Sequence, residues 1–209
     1  NSSTAYTAAI QADGKIVAAG STNSGFSYRG AEFALVRCNP DGSPDTSFNG
    51  DGKVATNFRS WRIRGFAVTV QPDGKIVAAG QGINNDGLHF TVYRYNPDGT
   101  PDTTFDGDGK AFINLPSNEN SALAVAVQPD GKIIVAGKFS RDAAIVRLNA
   151  NGSVDTSFNN NGYRNENCLS GECYMTSVAV QPDGKILAAG RFSESFSPTG
   201  IDFGIFRYN

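Results

Sequence analysis

A single histidine, His89, limits the chemistry open to this 209-residue chain. A His-rich zinc site and a Ser-His-Asp triad both need partners that one isolated imidazole does not single out. A histidine at a strand edge or in a loop is the simpler reading. Oxygen donors are more abundant. Asp41, Ser43, Asp45, Asn49 and Asp51 alternate along one segment, and Asp98, Thr100, Asp102, Asp106 and Asp108 along another. Calcium loops use such alternation, so Asp41, Asp45, Asp51, Asp98, Asp102 and Asp108 are the calcium candidates. The rival reading is Asx-turn chemistry. A third copy of the segment has Asn151, Asn159, Asn160 and Asn161 where the carboxylates stood. Asn keeps turn geometry and tolerance of left-handed backbone but drops the charge a calcium site needs. Turn chemistry is therefore expected, neither loop has EF-hand spacing, and no cofactor is expected.

Another constellation recurs: Arg37 with Asp45, Arg94 with Asp102, Arg147 with Asp155, and Arg207 at the end of the chain. A catalytic pair needs to occur once, whereas this one occurs in every copy. A structural ion pair between a strand and the turn after it is the expected role. No Gly-rich phosphate loop leads into a helix, and the glycines are expected to serve turns. On these grounds no enzymatic activity is expected.

The elements that carry these residues follow from one ten-residue phrase. QADGKIVAAG at 11–20 returns as QPDGKIVAAG at 71–80, QPDGKIIVAG at 128–137 and QPDGKILAAG at 181–190. Successive copies start 60, 57 and 53 residues apart, and a repeat of that length sets the fold. Each repeat resolves into four strands. Strand A (6–10, 66–70, 123–127, 176–180) is apolar or small on both sides in FAVTV and LAVAV, as a strand covered on both faces would be. Pro-Asp-Gly turns the chain into strand B, KIVAAG. Strand C carries FALVRCN, FTVYRYN, AAIVRLN and FGIFRYN (33–39, 90–96, 143–149, 203–209), and strand D follows at 53–58, at 110–115 and more weakly near Tyr163. A two-sheet sandwich has no reason to repeat its turns at a constant offset, and a β-solenoid needs shorter coils. The expected fold is an all-β propeller of four-stranded blades in one domain, 1–209, with repeats at about 1–58, 59–115, 116–165 and 166–209.

The fourth repeat stops before its outer strand. It could borrow that strand, skip it, or continue into a larger parent chain. The segment could also be an arc of a larger ring, or meet copies of itself as a homo-oligomer.

Composition agrees with a turn-rich β protein: 24 Gly, 14 Phe and 7 Tyr, with 18% charged residues. A net charge of −2 with no long basic run argues against nucleic acid. No apolar run approaches a membrane span and no signal peptide opens the chain, which reads as mature or excised. Cys168 and Cys173 flank LSGE and are read as a disulfide-clipped loop, with two free thiols as the alternative. A bridge implies an oxidising, extracytoplasmic compartment. Cys38 aligns with Tyr95, Leu148 and Tyr208 and is expected as a small buried apolar residue.

Meander connectivity puts the A–B and C–D turns at one end of the propeller and the B–C and D–A loops at the other. The first set is nearly identical in every copy. The second varies in length and content, and recognition usually resides in variable loops on a rigid scaffold. The candidate binding residues there are Trp61, Tyr28, Arg29, Arg62, Arg64, Asn85, Asp86, His89, Arg141 and Tyr174. Aromatics beside Arg, Asn and Asp can stack on a sugar and bond it, or anchor a protein. Trp61 could equally cap the core, with its neighbouring arginines merely solvated.

QPDGKIVAAG, then FALVRCNPDGSPDTSF, then NGDGKV resembles the bacterial delta-60 repeat, over nearly the whole chain. Departures are Ala12 for the turn proline, Ala150 and Asn151 in the third NPDG position, and the missing last strand. The resemblance implies a propeller-like fold in a large secreted or surface-attached bacterial protein, and no enzymatic activity comes with it. The expected function is an extracellular, adhesin-like module that binds a cell-envelope glycan or surface protein through its variable face. A structural spacer is the alternative, and a hydrolase with a central pocket the third.

Overall fold

Each copy of the decapeptide turns the chain by local hydrogen bonds. In the second, Gly74 N donates to Gln71 O (2.9 Å), Gln71 N to Lys75 O (2.8 Å) and Lys75 N to Asp73 Oδ1 (3.1 Å). Gly74 has φ 83°, which glycine adopts without strain. The first copy has Ala12 in place of proline, yet its two backbone bonds measure the same. Asp and Gly therefore set this turn, and proline only predisposes it.

The computed structural model of the protein describes residues 3–22, 32–56, 64–84, 87–117, 119–168, 171–193 and 202–209. Among them lie fifteen strands and no helix. Blade 1 holds β1 (Ser3–Ile10), β2 (Ile16–Thr22), β3 (Glu32–Cys38) and β4 (Lys53–Thr56). Blade 2 holds β5 (Arg64–Val70), β6 (Ile76–Asn84), β7 (Gly87–Tyr95) and β8 (Lys110–Ile113). Blade 3 holds β9 (Asn120–Val127), β10 (Ile133–Phe139), β11 (Asp142–Leu148) and β12 (Tyr163–Glu166), and blade 4 holds β13 (Tyr174–Val180), β14 (Ile186–Phe192) and β15 (Asp202–Tyr208). Every blade is an antiparallel meander in chain order, with three strands in the last. The first strands β1, β5, β9 and β13 pack side by side in that order, as inner strands of successive blades do.

The sheets stack face to face, and their contacts divide the core into three. Val17, Ala19, Phe33 and Leu35 of blade 1 meet Val68, Ile76, Ala78, Tyr93 and Tyr95 of blade 2. Val77, Ala79, Phe90 and Val92, on the other side of blade 2, meet Ile133, Val135, Val146 and Leu148 of blade 3. Ile134, Ala136 and Ile145 then meet Met175, Ile186 and Ala188 of blade 4. This explains why IVAA does not alternate with polar residues: its two sides enter different cores. A buried Phe or Val contributes about 1.5–3 kcal/mol, and Phe33 adds a stack on Tyr93 at 4.9 Å. The inner strand is covered on both sides in blade 2, where neighbours Ala67 and Val68 belong to different cores. Strands β1 and β13 are covered less, because each belongs to an end blade. Cys38 is accordingly half-buried, whereas its counterparts Tyr95 and Leu148 are buried.

The last glycine of the decapeptide has a role that turn chemistry does not supply. Each inner strand slips register by one residue, at Tyr6, Phe66, Leu123 and Thr176. Such a bulge bends the strand towards its partner. A Cβ on Gly20, Gly137 or Gly190 would lie 2.0 Å from the carbonyl oxygen of Thr4, Ser121 or Tyr174. These glycines admit a neighbouring backbone, a correction to the expectation that all serve turns.

The recurrent arginine fastens the C–D turn in blades 1 to 3, and in blades 1 and 2 it also reaches the next blade. Arg37 Nε donates to Asp45 Oδ2 at 2.7 Å, and Lys15 Nζ reaches the same oxygen at 3.0 Å. Ser47 donates from N (3.1 Å) and Oγ (2.7 Å) to Asp45 Oδ1. Arg37 Nη1 also donates to Pro97 O in blade 2, and the guanidinium lies over the Phe48 ring at 4.5 Å. Arg94 repeats this with Asp102 (2.6 Å), Lys75, Thr104, Phe105 and Ala150 O of blade 3. Arg147 bonds Asp155 at 2.7 Å. Bonds from Ser47, then the Lys15 and Arg37 cations, hold the Asp45 carboxyl well below the usual range. For Asp102 burial is the largest influence and pushes upward, but bonds from Thr104, Lys75 and Arg94 together prevail.

Urea unfolding tests both the glycine contacts and the arginine clusters. Gly137→Ala should cost about 2–3 kcal/mol through the backbone clash. Gly42→Ala, a positive-φ position with open space around it, should cost about 1 kcal/mol. Arg94→Ala should cost about 3 kcal/mol by stranding Asp102, and Arg94→Met with Asp102→Leu distinctly less. Because these carboxyls titrate lower folded than unfolded, their contribution is complete above about pH 4 and fades as pH falls towards their folded values. The midpoint should drop on acidification below about pH 4, and Asp102→Asn should flatten that slope.

Candidate functional site

The two ends of the propeller differ as their loops do. At the repeated-turn end a groove of about 520 Å³ runs between blades 1 and 2, edged by Gln11, Lys15, Arg37, Gln71, Asp73 and Pro97. Arg37 and Lys15 are already committed to Asp45 there. The calcium candidates lie at the same end and spend their oxygens locally. Asp41 Oδ1 accepts from Ser43 N, Asp98 Oδ1 from Thr100 N, Asp51 Oδ1 from Lys53 N and Asp108 Oδ1 from Lys110 N. Asp45 and Asp102 are held by arginine. Among the described residues no three His, Cys, Asp or Glu side chains are grouped to hold a metal ion.

The opposite end holds a non-repeating assembly of charged side chains at the junction of blades 3 and 4. It is built on a two-residue turn, Ser140–Arg141, that joins paired Phe139 and Asp142. Ser140 takes φ 55°, with its N–H bonded to Glu119 O at 2.8 Å. Arg141 O accepts from Cys173 N (2.8 Å), and Asp142 Oδ1 accepts from Cys168 N (2.8 Å). Cys168 and Cys173 form a disulfide, as read from the sequence. On its far side Ser193 N donates to Cys173 Sγ at 3.3 Å, just past the end of β14. The D–A loop is thus clamped between the B–C connections of blades 3 and 4, which places both loop types at one end.

Charge gathers on this clamp. Lys138 Nζ bonds Glu172 Oε1 at 2.8 Å and holds the Glu172 carboxyl below its ordinary range. Arg191 and Arg141 lie near enough to lower it further. Arg191 pairs with Tyr174 across β13 and β14, its guanidinium 5.9 Å from the ring centre. Arg191 Nε is buried with no hydrogen-bond partner. Three cations therefore gather about one carboxylate, with Arg191 beside the Tyr174 ring, a field that favours an anion.

Of the residues singled out in the sequence, Arg141 and Tyr174 fall in this assembly. His89 is a correction: it is buried in β7, edge-on to Phe112 at 6.5 Å, and does not stand on the loop surface. Arg64 opens β5. Trp61, Tyr28, Arg29, Arg62, Asn85 and Asp86 lie outside the described residues. Lys138 and Glu172 escaped the sequence reading, because their meeting depends on the loop clamp and not on spacing. Their opposite charges, in the two loops that flank one blade junction, were the available signal.

The sequence model described as domain of unknown function (DUF5122) beta-propeller matches residues 11–48, 71–105, 128–158 and 181–209, so the chain belongs to that family. No curated protein sequence matches it. Among solved structures it is similar to a protein of unknown function from Bacteroides caccae, with TM-score 0.53, 12% identity and all of this chain covered. It is also similar to virginiamycin B lyase from Staphylococcus aureus, with TM-score 0.51, 13% identity and 97% covered. A protein described as a gluconolactonase gives TM-score 0.51, 17% identity and 96% covered. The chain spans 62%, 55% and 62% of their respective lengths. At such identities the likeness is one of fold. It nonetheless overturns the expectation of no enzymatic activity, because a lyase and a gluconolactonase stand on this propeller fold. Recurrence of the scaffold residues did not bear on that point: a catalytic group need occur only once, in a loop.

Reducing the Cys168–Cys173 bridge, or replacing both cysteines with serine, should cost about 2 kcal/mol. Hydrogen exchange should rise at the amides of residues 173 and 193, which donate to Arg141 O and to Cys173 Sγ, and stay unchanged at the C–D turns.

Proposed function

We propose that this member of the DUF5122 β-propeller family is an extracellular recognition module of the delta-60 repeat type that binds an anionic cell-envelope glycan. The convergence of Lys138, Arg141 and Arg191 on Glu172, with Arg191 beside Tyr174, carries the reading. Arginine pairs bidentately with carboxylate or phosphate groups, and a tyrosine ring offers a face to a sugar. The disulfide in the adjoining loop suits an oxidising compartment outside the cytoplasm. The variable loop end supplies the surface, and the repeated turns at the other end hold it rigid.

Biolayer interferometry with an immobilised uronate oligosaccharide and its neutral-sugar counterpart tests this. The uronate should bind, more weakly as salt is raised. Arg141→Ala with Arg191→Ala should weaken it at least about tenfold, as expected for lost charge-assisted bonds. Because the fold also carries enzymes, the assay follows product release as well as binding. A folded sample that ignores both sugars and binds an envelope protein instead would overturn the glycan assignment.

A further inference from the structure

Asparagine followed by glycine occurs three times, at 49–50, 151–152 and 161–162. In that dipeptide the glycine nitrogen can attack the asparagine side-chain carbonyl carbon, since no Cβ on glycine obstructs the approach. The three copies differ in what holds the glycine. Gly152 N donates to Asn149 O at 2.9 Å and Gly162 N to Phe158 O at 2.7 Å. Both glycines are buried. A Cβ on Gly152 would lie 3.1 Å from the Phe105 ring, and one on Gly162 2.1 Å from Val154 Cγ1. Gly50 is exposed with open space around it, and its N–H makes no hydrogen bond among the described residues.

The asparagines differ in the same sense. Asn151 Oδ1 accepts from Ser153 N (3.1 Å) and Ser153 Oγ (2.8 Å), and Asn161 Oδ1 from Tyr163 N (3.2 Å). Those bonds aim the side-chain carbonyl past its glycine, at the residue after it. Asn49 is held instead by its leaving group, with Nδ2 donating to Lys53 O at 2.7 Å. We propose that Asn49 is a site of spontaneous deamidation in the folded protein, and that the fold protects Asn151 and Asn161. Gly50 N bonds to Asn49 Cγ, the Cγ–Nδ2 bond breaks, and Nδ2 leaves as ammonia carrying the Gly50 amide proton. Water then opens the resulting succinimide at either carbonyl, giving aspartate or isoaspartate. The aspartate product suits the turn. Blade 2 has Asp106 in that position with φ 50°, against 52° at Asn49, and the same 2.8 Å backbone link to the next blade. The isoaspartate product adds one carbon to the backbone between Asn49 N, bonded to Asp98 O of blade 2, and Gly52 N, bonded to Phe48 O. It loosens the junction of blades 1 and 2.

Peptide mapping by mass spectrometry tests this, after incubation at neutral pH in native buffer and in guanidinium chloride. Trypsin releases Asn49 in peptide 38–53 and the other two asparagines in 148–164. In the folded protein Asn49 should deamidate at least about tenfold faster than Asn151 or Asn161, the ratio that one freed amide gives. In guanidinium chloride the three rates should converge, because the dipeptide alone then sets them. Equal rates in the folded protein would overturn the proposal, as would an Asn49 that reacts in denaturant and stays intact when folded. The isoaspartyl fraction, separated chromatographically, should unfold at lower urea than Asn49→Asp; equal midpoints would overturn the effect on the junction.

Discussion

Everything in this propeller rests on sheets that are apolar on both faces and must be covered on both. Val77 and Val92 on one side of blade 2, and Ile76 and Tyr93 on the other, enter different cores. No single blade can satisfy that requirement, so each is stable only as a neighbour of others. The arginine clusters act on the same problem from the rim. Arg37 and Arg94 each fasten their own C–D turn and reach a carbonyl of the next blade. Asn49 N on Asp98 O and Asp106 N on Asn151 O, both 2.8 Å, add backbone links across the same junctions. Cores thereby set the spacing of the blades, and the rim sets their registry.

This division of labour leaves the other rim unconstrained. Because the repeated turns hold the blades, the B–C and D–A connections can differ without loss of the fold. At the junction of blades 3 and 4 that freedom is used to build a disulfide-clamped loop whose Glu172 is met by cations from the adjoining strands and turn. Proteins described as a lyase and a gluconolactonase share this fold, and a fold by itself does not fix the function it carries.

Much of the fold was legible in the sequence because local bonding determines it. Asp73 and Gly74 make their turn with bonds spanning no more than four residues, and the Arg94–Asp102 pair is eight apart. Strand count and order followed from the repeat. The bulge that demands Gly137 was hidden, since a glycine at a strand end looks like a glycine in a turn. The burial of His89 and the half-exposure of Cys38 depend on which blade lies alongside, and a single repeat does not carry that information. The candidate site was legible only in outline: its end of the molecule could be read, and Arg141 and Tyr174 with it, but Lys138 and Glu172 needed the clamp.

The packing of successive blades is tested most directly by a double-mutant cycle between Phe33 of blade 1 and Tyr93 of blade 2, whose rings stack at 4.9 Å. Unfolding free energies of Phe33→Leu, Tyr93→Leu and the pair should show a coupling of about 0.5–1.5 kcal/mol. Strictly additive losses would mean that the two rings do not meet, and that the blades are not stacked face to face.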